Sequence, residues 1–374
     1  MAQTLEDKDT DKDKNEDKRE PAEGQTAYTP EEANNNMPEG TKVMVIVNPA
    51  SGKKAGIITT NTAGTDDVRR VLEENNIQAN VVETEYPEHA TKLAKSAIDE
   101  GYDIVIACGG DGTVGEVAHA LIGSKVTLGI LPLGSANNVA RMMHVPFDLA
   151  EAGKLLRIGE IRKVDVGRCN GEYFLETAGV GLDAALFPIL NHVDKGEYIH
   201  LLEVVRTLFR FRPRRLTLVL DGKIIRVRAL VVLVANGPYW GYSVPLAPNA
   251  KVDDHLFDVV VFRNFSKTDF IRHVVAALLR RGALDDPKNK EERRRYTHHT
   301  KLQIYRARQV RVLTPRYRRP WPVHADAQGR GKTPARIDIV PSALKIITGP
   351  GEHFTIQRSK GTPQGKPPKH RLRS

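Results

Sequence analysis

The chain has 374 residues, 40% of them hydrophobic, a formal charge of +10 and two cysteines. That length allows two domains with a sizeable core, and so few cysteines exclude a disulfide framework or a cysteine-built zinc site. No apolar run approaches the ~20 residues of a membrane-crossing helix, and the charged N-terminus lacks the apolar segment of a secretory leader, so a reducing, cytoplasmic setting is expected.

Residues 1–40 hold 12 acids and 5 bases, which leaves +17 on the rest. They carry too little apolar surface to fold and read as a disordered acidic tail. The basic body is suited to polyanions: nucleotide, nucleic acid or an anionic membrane face.

Order begins with the apolar run Lys42 to Val47, a strand of the kind buried in parallel sheets. It ends in Asn48-Pro49-Ala50-Ser51-Gly52-Lys53-Lys54, which fails as a Walker A loop. Val47 stands in place of the first glycine, and Lys54 in place of the magnesium-binding Ser or Thr. Asp67 to Glu74 and His89 to Glu100 have helical spacing, with a strand at Ala79 to Thr84 between them. A third strand, Ile104 to Cys108, stops at Gly109-Gly110-Asp111-Gly112-Thr113, and Val117, Ala118, Ala120 and Leu121 then recur at helical spacing. Strand, glycine-rich turn and helix aim backbone N–H groups at an anion, most often phosphate. A plain tight turn in a parallel sheet favours glycine too. A fourth strand, Val126 to Leu131, leads into Pro132-Leu133-Gly134-Ser135-Ala136-Asn137-Asn138 and a helical stretch, Val139 to Met143. In a parallel α/β sheet the loops after residues 47, 108 and 131 meet at one edge, where such sheets bind ligand.

Beyond residue 160 strand-like segments dominate: 164–167, 173–176, 216–220, 224–234, 257–262, 302–305, 309–313 and 343–347. Helical insertions are expected at Ile199 to Phe209 and Asp269 to Arg281. Segment 280–319 holds 14 bases and 4 acids. With Tyr296, Tyr305, Tyr317 and the arginines at 206, 210, 212, 214 and 215 it suggests an interfacial surface, although a merely solvated charge run has the same composition. The tail from Gln357 is basic, Pro-containing and expected to be disordered.

Gly110, Gly112 and Gly115 satisfy G-x-G-x-x-G, yet the turn follows the third strand and no acid ends the next one, which argues against a dinucleotide-binding Rossmann unit. A phosphate-binding turn that carries its own carboxylate makes electrostatic sense when a magnesium ion lies between the two. Asp111 therefore points to nucleoside triphosphate chemistry.

Taken together, Asn48 to Gly52, Gly109 to Thr113 with Glu116, Leu133 to Asn137, Ala178 to Ala184, Asn236-Gly237 and Pro248 to Asp258 resemble the diacylglycerol kinase catalytic-domain superfamily, which includes sphingosine and soluble bacterial lipid kinases. The resemblance spans about residues 42–350. It implies an α/β N-terminal domain with a parallel sheet of the NAD kinase and diacylglycerol kinase type (41–150), then a mainly antiparallel β domain for the lipid (151–342). The strand at 343–348 would pack back on the first domain. It further implies ATP in the cleft, held by Asn48, Gly52, Gly109, Gly110, Gly112, Thr113, Gly134, Ser135 and Asn137, with Mg2+ on Asp111. Asp326 falls at the family's general base, a role that suits phosphoryl transfer to an alcohol. Asp183 is a substrate candidate. A structural metal is implied at Asp254 with the carbonyls of Lys251 and Leu256, where His255 replaces the usual glycine.

Three positions depart from the family pattern: Gln328 for a catalytic Glu, Asn138 for Asp, and Ser135 for Thr. The first two remove charge, which leaves open a slow kinase, rearranged metal ligands, or a nucleotide- or lipid-binding protein without turnover. An NAD kinase-like phosphotransferase is the enzymatic alternative, because the Gly-Gly-Asp-Gly-Thr motif occurs there too. The expected partner is a lipid at an anionic membrane surface, with peripheral association through basic segments. A homodimer through the β domain stays open, and no DNA- or RNA-reading motif supports nucleic-acid binding.

Overall fold

The computed structural model describes residues 37–51, 63–194, 200–241, 243–279, 291, 302–315, 319–351 and 354. Gly52, Lys53, Lys54, Tyr296, Tyr317, most of the basic run after residue 279 and nearly all of both expected tails lie outside the described residues.

The first half runs β1 (Val43–Val47), α1 (Thr65–Glu74), β2 (Asn80–Glu83), α2 (His89–Asp99), β3 (Ile104–Gly109), α3 (Asp111–Leu121), β4 (Thr127–Pro132), α4 (Asn138–Met142) and α5 (Leu149–Ile158). Strands β2-β1-β3-β4 lie side by side in that order, all parallel. Every residue of β1, β3 and β4 is buried, which is why these strands read as unbroken apolar runs rather than alternating ones. Helix α5 was not expected from the sequence. Asp148 starts it by accepting the N–H of Glu151, and Leu156 packs where a side chain on Gly129 of β4 would otherwise sit.

The second half continues with β5 (Glu160–Cys169), β6 (Glu172–Phe174), β7 (Thr177–Gly181), α6 (Leu182–Asp194), α7 (Leu201–Arg210), β8 (Arg214–Leu220) and β9 (Lys223–Ala235). Then come β10 (Phe257–Arg263), α8 (Lys267–Leu279), β11 (Leu302–Ala307), β12 (Gln309–Leu313), β13 (Pro322–Ala325), β14 (Gln328–Lys332) and β15 (Ala335–Thr348). Its pairings are antiparallel. In β10, Phe257, Val259 and Val261 enter one apolar cluster, and Val260 and Phe262 enter a second on the other face of the sheet. The second cluster is covered by α6 and α7, so β10, too, is apolar on both faces.

Strand β15 joins the halves. It pairs antiparallel with β12 and β5, shifts register between Val340 and Leu344, and then runs parallel to β4 at Lys345 and Ile346. The sequence reading found only its last part, because Arg336, Asp338, Pro341 and Ser342 interrupt the apolar pattern. The fold is thus a parallel α/β unit followed by a mainly antiparallel β unit, as expected.

Candidate active site

The loops that leave β1, β3 and β4 meet at one edge of the sheet because the three strands are parallel neighbours. Asn48 follows β1 and donates its side-chain amide to the Thr113 hydroxyl at 2.9 Å, tying the first loop to α3. Its backbone N–H bonds the Cys108 carbonyl at 2.9 Å, and the Leu133 N–H bonds the Gly109 carbonyl at 2.9 Å. Asn137, in the left-handed region at φ 49°, closes the third loop on itself through Gly134 N–H to Asn137 Oδ1 (2.9 Å) and Asn137 Nδ2 to the Gly134 carbonyl (2.7 Å). Ser135 is exposed on this loop. Cys108 is buried, and that burial pushes its thiol far above the usual range, so it is inert packing.

The glycines divide into two kinds. A Cβ on Gly134 would stand 2.4 Å from Gly110 Cα, and one on Gly109 would stand 2.6 Å from the Thr113 side chain, so these positions serve protein packing. A Cβ on Gly112 or Gly115 would meet nothing within 4 Å. Helix α3 starts at Asp111, earlier than the apolar spacing alone suggests, so Gly112 lies in its first turn with open space above it. N–H groups of a first turn left uncovered in this way are suited to an anion.

Asp111 Oδ1 accepts the Val139 N–H at 2.9 Å and so links α3 to the start of α4. Burial pushes this carboxyl up, backbone N–H groups of Val139, Asn138 and Asn137 pull it down, and the charge of Asp326 raises it further.

Asp326 comes from the second half. It and Ala327, at φ 43° and 60°, form the two-residue turn between β13 and β14, a geometry that favours Asp, Asn or Gly. The pairing of β13 with β7 then brings its carboxylate onto three successive N–H groups, those of Leu175 (2.6 Å), Glu176 (3.0 Å) and Thr177 (3.1 Å). Burial pushes Asp326 up, and these three donors oppose it. Asp326 is thus a turn residue, and its half-buried carboxylate is held by backbone donors of the facing strand connection. His119, on α3, lies near enough for the charge of Asp326 to act on it, while burial pushes its imidazole down.

Sequence reasoning missed Glu176. Burial, then the charges of Asp111 and Asp326, push this carboxyl well above its usual range. Its Oε2 accepts Asn138 Nδ2 at 2.7 Å. Asn138 is buried, also donates to the Gly241 carbonyl at 2.6 Å, and accepts the Ser243 hydroxyl at 2.7 Å. An amide suits this place: a carboxylate at 138 would face Glu176 without a proton between them. The carboxyl group absent at Asn138 is present, one hydrogen bond away, at Glu176. The signal that could have found it is the polar residue in Phe174-Leu175-Glu176-Thr177, where an acid interrupts an otherwise apolar stretch. Gln328 is exposed and accepts from Arg330 at 3.0 Å, outside this group.

Among the described residues Asp111, Glu176 and Asp326 have no ion pair with a base, and no three acids or histidines stand at metal-ligand spacing. Mutually repelling carboxylates beside an anion cradle are the donor set of a hard divalent cation, which needs only one or two of them next to phosphate oxygens. The expected structural site does not fit a metal in the same way. The Asp254 carboxylate is engaged by the Arg306 guanidinium, which also reaches Asp258 at 3.4 Å. His255 adopts the left-handed turn at φ 61° itself, held by Asp165 through its N–H (2.6 Å) and Nδ1 (2.8 Å). Arginine thus supplies positive charge at Asp254, the one carboxylate of the set expected with the carbonyls of Lys251 and Leu256. Asp183 is fully buried on α6, with Oδ2 3.1 Å from His324 Nε2 and Oδ1 accepting the Ala184 N–H.

The chain is similar to known proteins. Residues 42–169 match the diacylglycerol kinase catalytic domain, and residues 177–348 match the YegS C-terminal NAD kinase beta sandwich-like domain. The diacylglycerol kinase of Bacillus subtilis is 30% identical over 63% of this chain and 78% of its own length. That of Staphylococcus saprophyticus is 24% identical over 82% of this chain and 95% of its own. A diacylglycerol kinase crystal structure from Bacillus anthracis str. Sterne has the same fold, with a TM-score of 0.60 at 22% identity over 83% of this chain and 97% of that one. The chain belongs to the diacylglycerol kinase family and is an enzyme of the kinase class.

Proposed function

We propose that this kinase transfers the γ-phosphoryl group of ATP to a hydroxyl of diacylglycerol or a related membrane lipid. The observation that carries the reading is the meeting of a glycine-loop anion cradle with three half-buried, mutually repelling carboxylates contributed by both halves of the chain. Asn48, Gly52, Gly109, Gly110, Gly112, Thr113, Gly134, Ser135 and Asn137 hold the nucleotide. Asp111 and Glu176 are the residues that would hold magnesium; when bound, it neutralises charge on the phosphate oxygens. Asp326 takes the proton of the lipid hydroxyl as the phosphoryl group departs, the task of a positioned carboxylate in such transfers. The three N–H groups on Asp326 fix its direction, so it need not be ordered at the moment of reaction. The lipid reaches the site from an anionic membrane surface. No helix among the described residues is long and apolar enough to cross a membrane.

Labelled ATP incubated with the protein, Mg2+ and a panel of dispersed lipids tests the reading. Label should appear in an organic-extractable product, and Asp326→Asn or Asp111→Ala should lower the rate by about a thousandfold. Label in water-soluble NAD would favour the NAD kinase-like reading, and ATP binding with no turnover on any acceptor would favour a binding protein.

A further inference from the structure

The backbone that carries the donors of Asp326 is itself held from behind. Leu175 and Glu176 link β6 to β7, whose first residue is Thr177, and their N–H groups with that of Thr177 all face the Asp326 carboxylate. Successive N–H groups aimed at one anion are a backbone anion site. On the other side of the same backbone stands Asn236, at the end of β9, because β9 pairs antiparallel with β7 and sets Ala235 opposite Thr177. Asn236 is 1% exposed. Its Nδ2 donates to the carbonyls of Leu175 at 2.8 Å and Asp165 at 3.0 Å. Its backbone N–H and that of Gly237 reach the Glu176 carbonyl at 2.9 and 3.2 Å. A Cβ on Gly237 would run into Met142 Sδ, so glycine lets this corner lie against α4.

These bonds fall on two peptide units. The Leu175 carbonyl and the Glu176 N–H belong to one planar amide, and the Glu176 carbonyl and the Thr177 N–H belong to the next. In each unit the Asn236-Gly237 corner donates to the oxygen, while the N–H goes to Asp326 Oδ1. Donation to a carbonyl polarises its amide and strengthens the bond that its own N–H makes, and the planarity of the unit passes on its direction. Both hydrogens of Asn236 Nδ2 are used on carbonyls, and among the described residues its Oδ1 accepts nothing. What the side chain contributes here is therefore its donors.

We propose that Asn236 is a positioning residue for the phosphoryl transfer: through the carbonyls of Leu175 and Glu176 it aims the N–H groups of those two peptide units at Asp326. The bond to the Asp165 carbonyl ties the end of β9 to β5, and the bond to the Leu175 carbonyl serves the site. The inference rests on the reading of Asp326 as the group that takes the acceptor's proton.

A double-mutant cycle with the full chain tests it. Asn236→Asp keeps the volume of the side chain but sets a carboxylate against two carbonyl oxygens. It should lower kcat by up to about 100-fold, the scale of a misplaced reacting group, and leave the KM for ATP unchanged. In the Asp326→Asn enzyme the same substitution should change kcat by less than about twofold, because nothing is left to aim. Asn236→Ala, which removes the donors without adding charge, carries the same cycle if the aspartate unfolds the chain. With isotope-labelled glutamate, the Glu176 amide resonance should move on substitution of Asn236 and again on Asp326→Asn. Equal fold-losses in the wild-type and Asp326→Asn backgrounds would overturn the proposal. So would a wild-type rate in Asn236→Asp, which would mean that shape and not donation matters, or a raised KM for ATP at unchanged kcat. A Glu176 amide indifferent to Asn236 would overturn it whatever the acceptor. A lack of turnover on every dispersed lipid would count against the kinase reading alone, and the amide shift would then decide whether Asn236 acts on Asp326.

Discussion

The wall of the site built by the parallel half consists of three loops, each continuous in sequence and each leaving a buried strand at the same sheet edge. The facing wall is assembled differently: Asp326 meets the Leu175 N–H across 151 residues of chain, and it does so because β13 pairs with β7. The first wall is mostly amide and glycine, fitted to receive negative charge. The second supplies negative charge that its own burial disfavours. A cradle for phosphate and a set of repelling carboxylates have opposite electrostatic needs, and Asp111 is where they overlap, since it belongs to the first wall by sequence and to the second by charge.

The sharpest way to break this comparison is at the contact between the walls, where Asn138 Nδ2 holds Glu176. Glu176→Gln should lower turnover by about a thousandfold, the scale on which removing a positioned acid–base or electrostatic group acts. Asn138→Asp alone should also impair the enzyme, by setting a second carboxylate against Glu176. If one negative charge at this contact is what the site requires, Asn138→Asp combined with Glu176→Gln should recover much of the rate, and steady-state kinetics of the four proteins would give the coupling. Losses in the double variant that simply multiply those of the single ones would mean that Glu176 acts independently of Asn138.

The same contrast explains what could be read in advance. The loops of the first wall were legible because strand, glycine turn and helix are neighbours in sequence, and three repeats of the pattern imply a shared edge. Asp326 could be located through the family resemblance, but its three N–H donors come from residues 175–177 and appear only once strand pairing is known. Glu176 gives almost no local sign: it is one acid beside a three-residue strand, and its partners lie in α4, α3 and the β13–β14 turn. Helix α6 was hidden because Gly179 and Gly181 precede it and Pro188 interrupts its pattern, whereas tertiary packing on β7 and β13 favours it. Nothing local announced that the Asp254 carboxylate, expected at a metal, is engaged by Arg306, a residue 52 positions away that no local motif includes.

A second test addresses the seam where the halves join. His144 ends the loop after α4 and lies under the exit of β15, with the Gly349 N–H bonded to the neighbouring Met143 carbonyl at 3.0 Å. Burial, with a smaller push from the Arg162 charge, lowers its imidazole from 6.5 to about 4. Between those values the unfolded chain binds a proton that the folded one does not, so stability rises with pH across that window and is lost as pH falls through it. The shift corresponds to about 3 kcal/mol. Urea unfolding at pH 4 to 7 should show that dependence, and His144→Asn, which accepts the left-handed φ of 54°, should flatten it by that amount. An unchanged slope would place the acid sensitivity elsewhere.

The smallest effects separate the two kinds of glycine within one cradle. Gly134→Ala would drive a methyl to 2.4 Å from Gly110 Cα, a contact between backbones that no side-chain rotation relieves. It should cost about 2 kcal/mol of stability. Gly112→Ala has open space around the new methyl and sits in the first turn of α3, where alanine is the better helix former. It should leave the fold unharmed or stabilise it by up to ~1 kcal/mol. Yet if that space is where the phosphates of ATP approach the backbone, the stabilised variant should bind nucleotide more weakly. Thermal unfolding with and without ATP and Mg2+ reads both quantities in one experiment: Gly112→Ala should start at or above the wild-type midpoint and gain less from the nucleotide. A full ATP-induced shift in Gly112→Ala would place the nucleotide away from the first turn of α3.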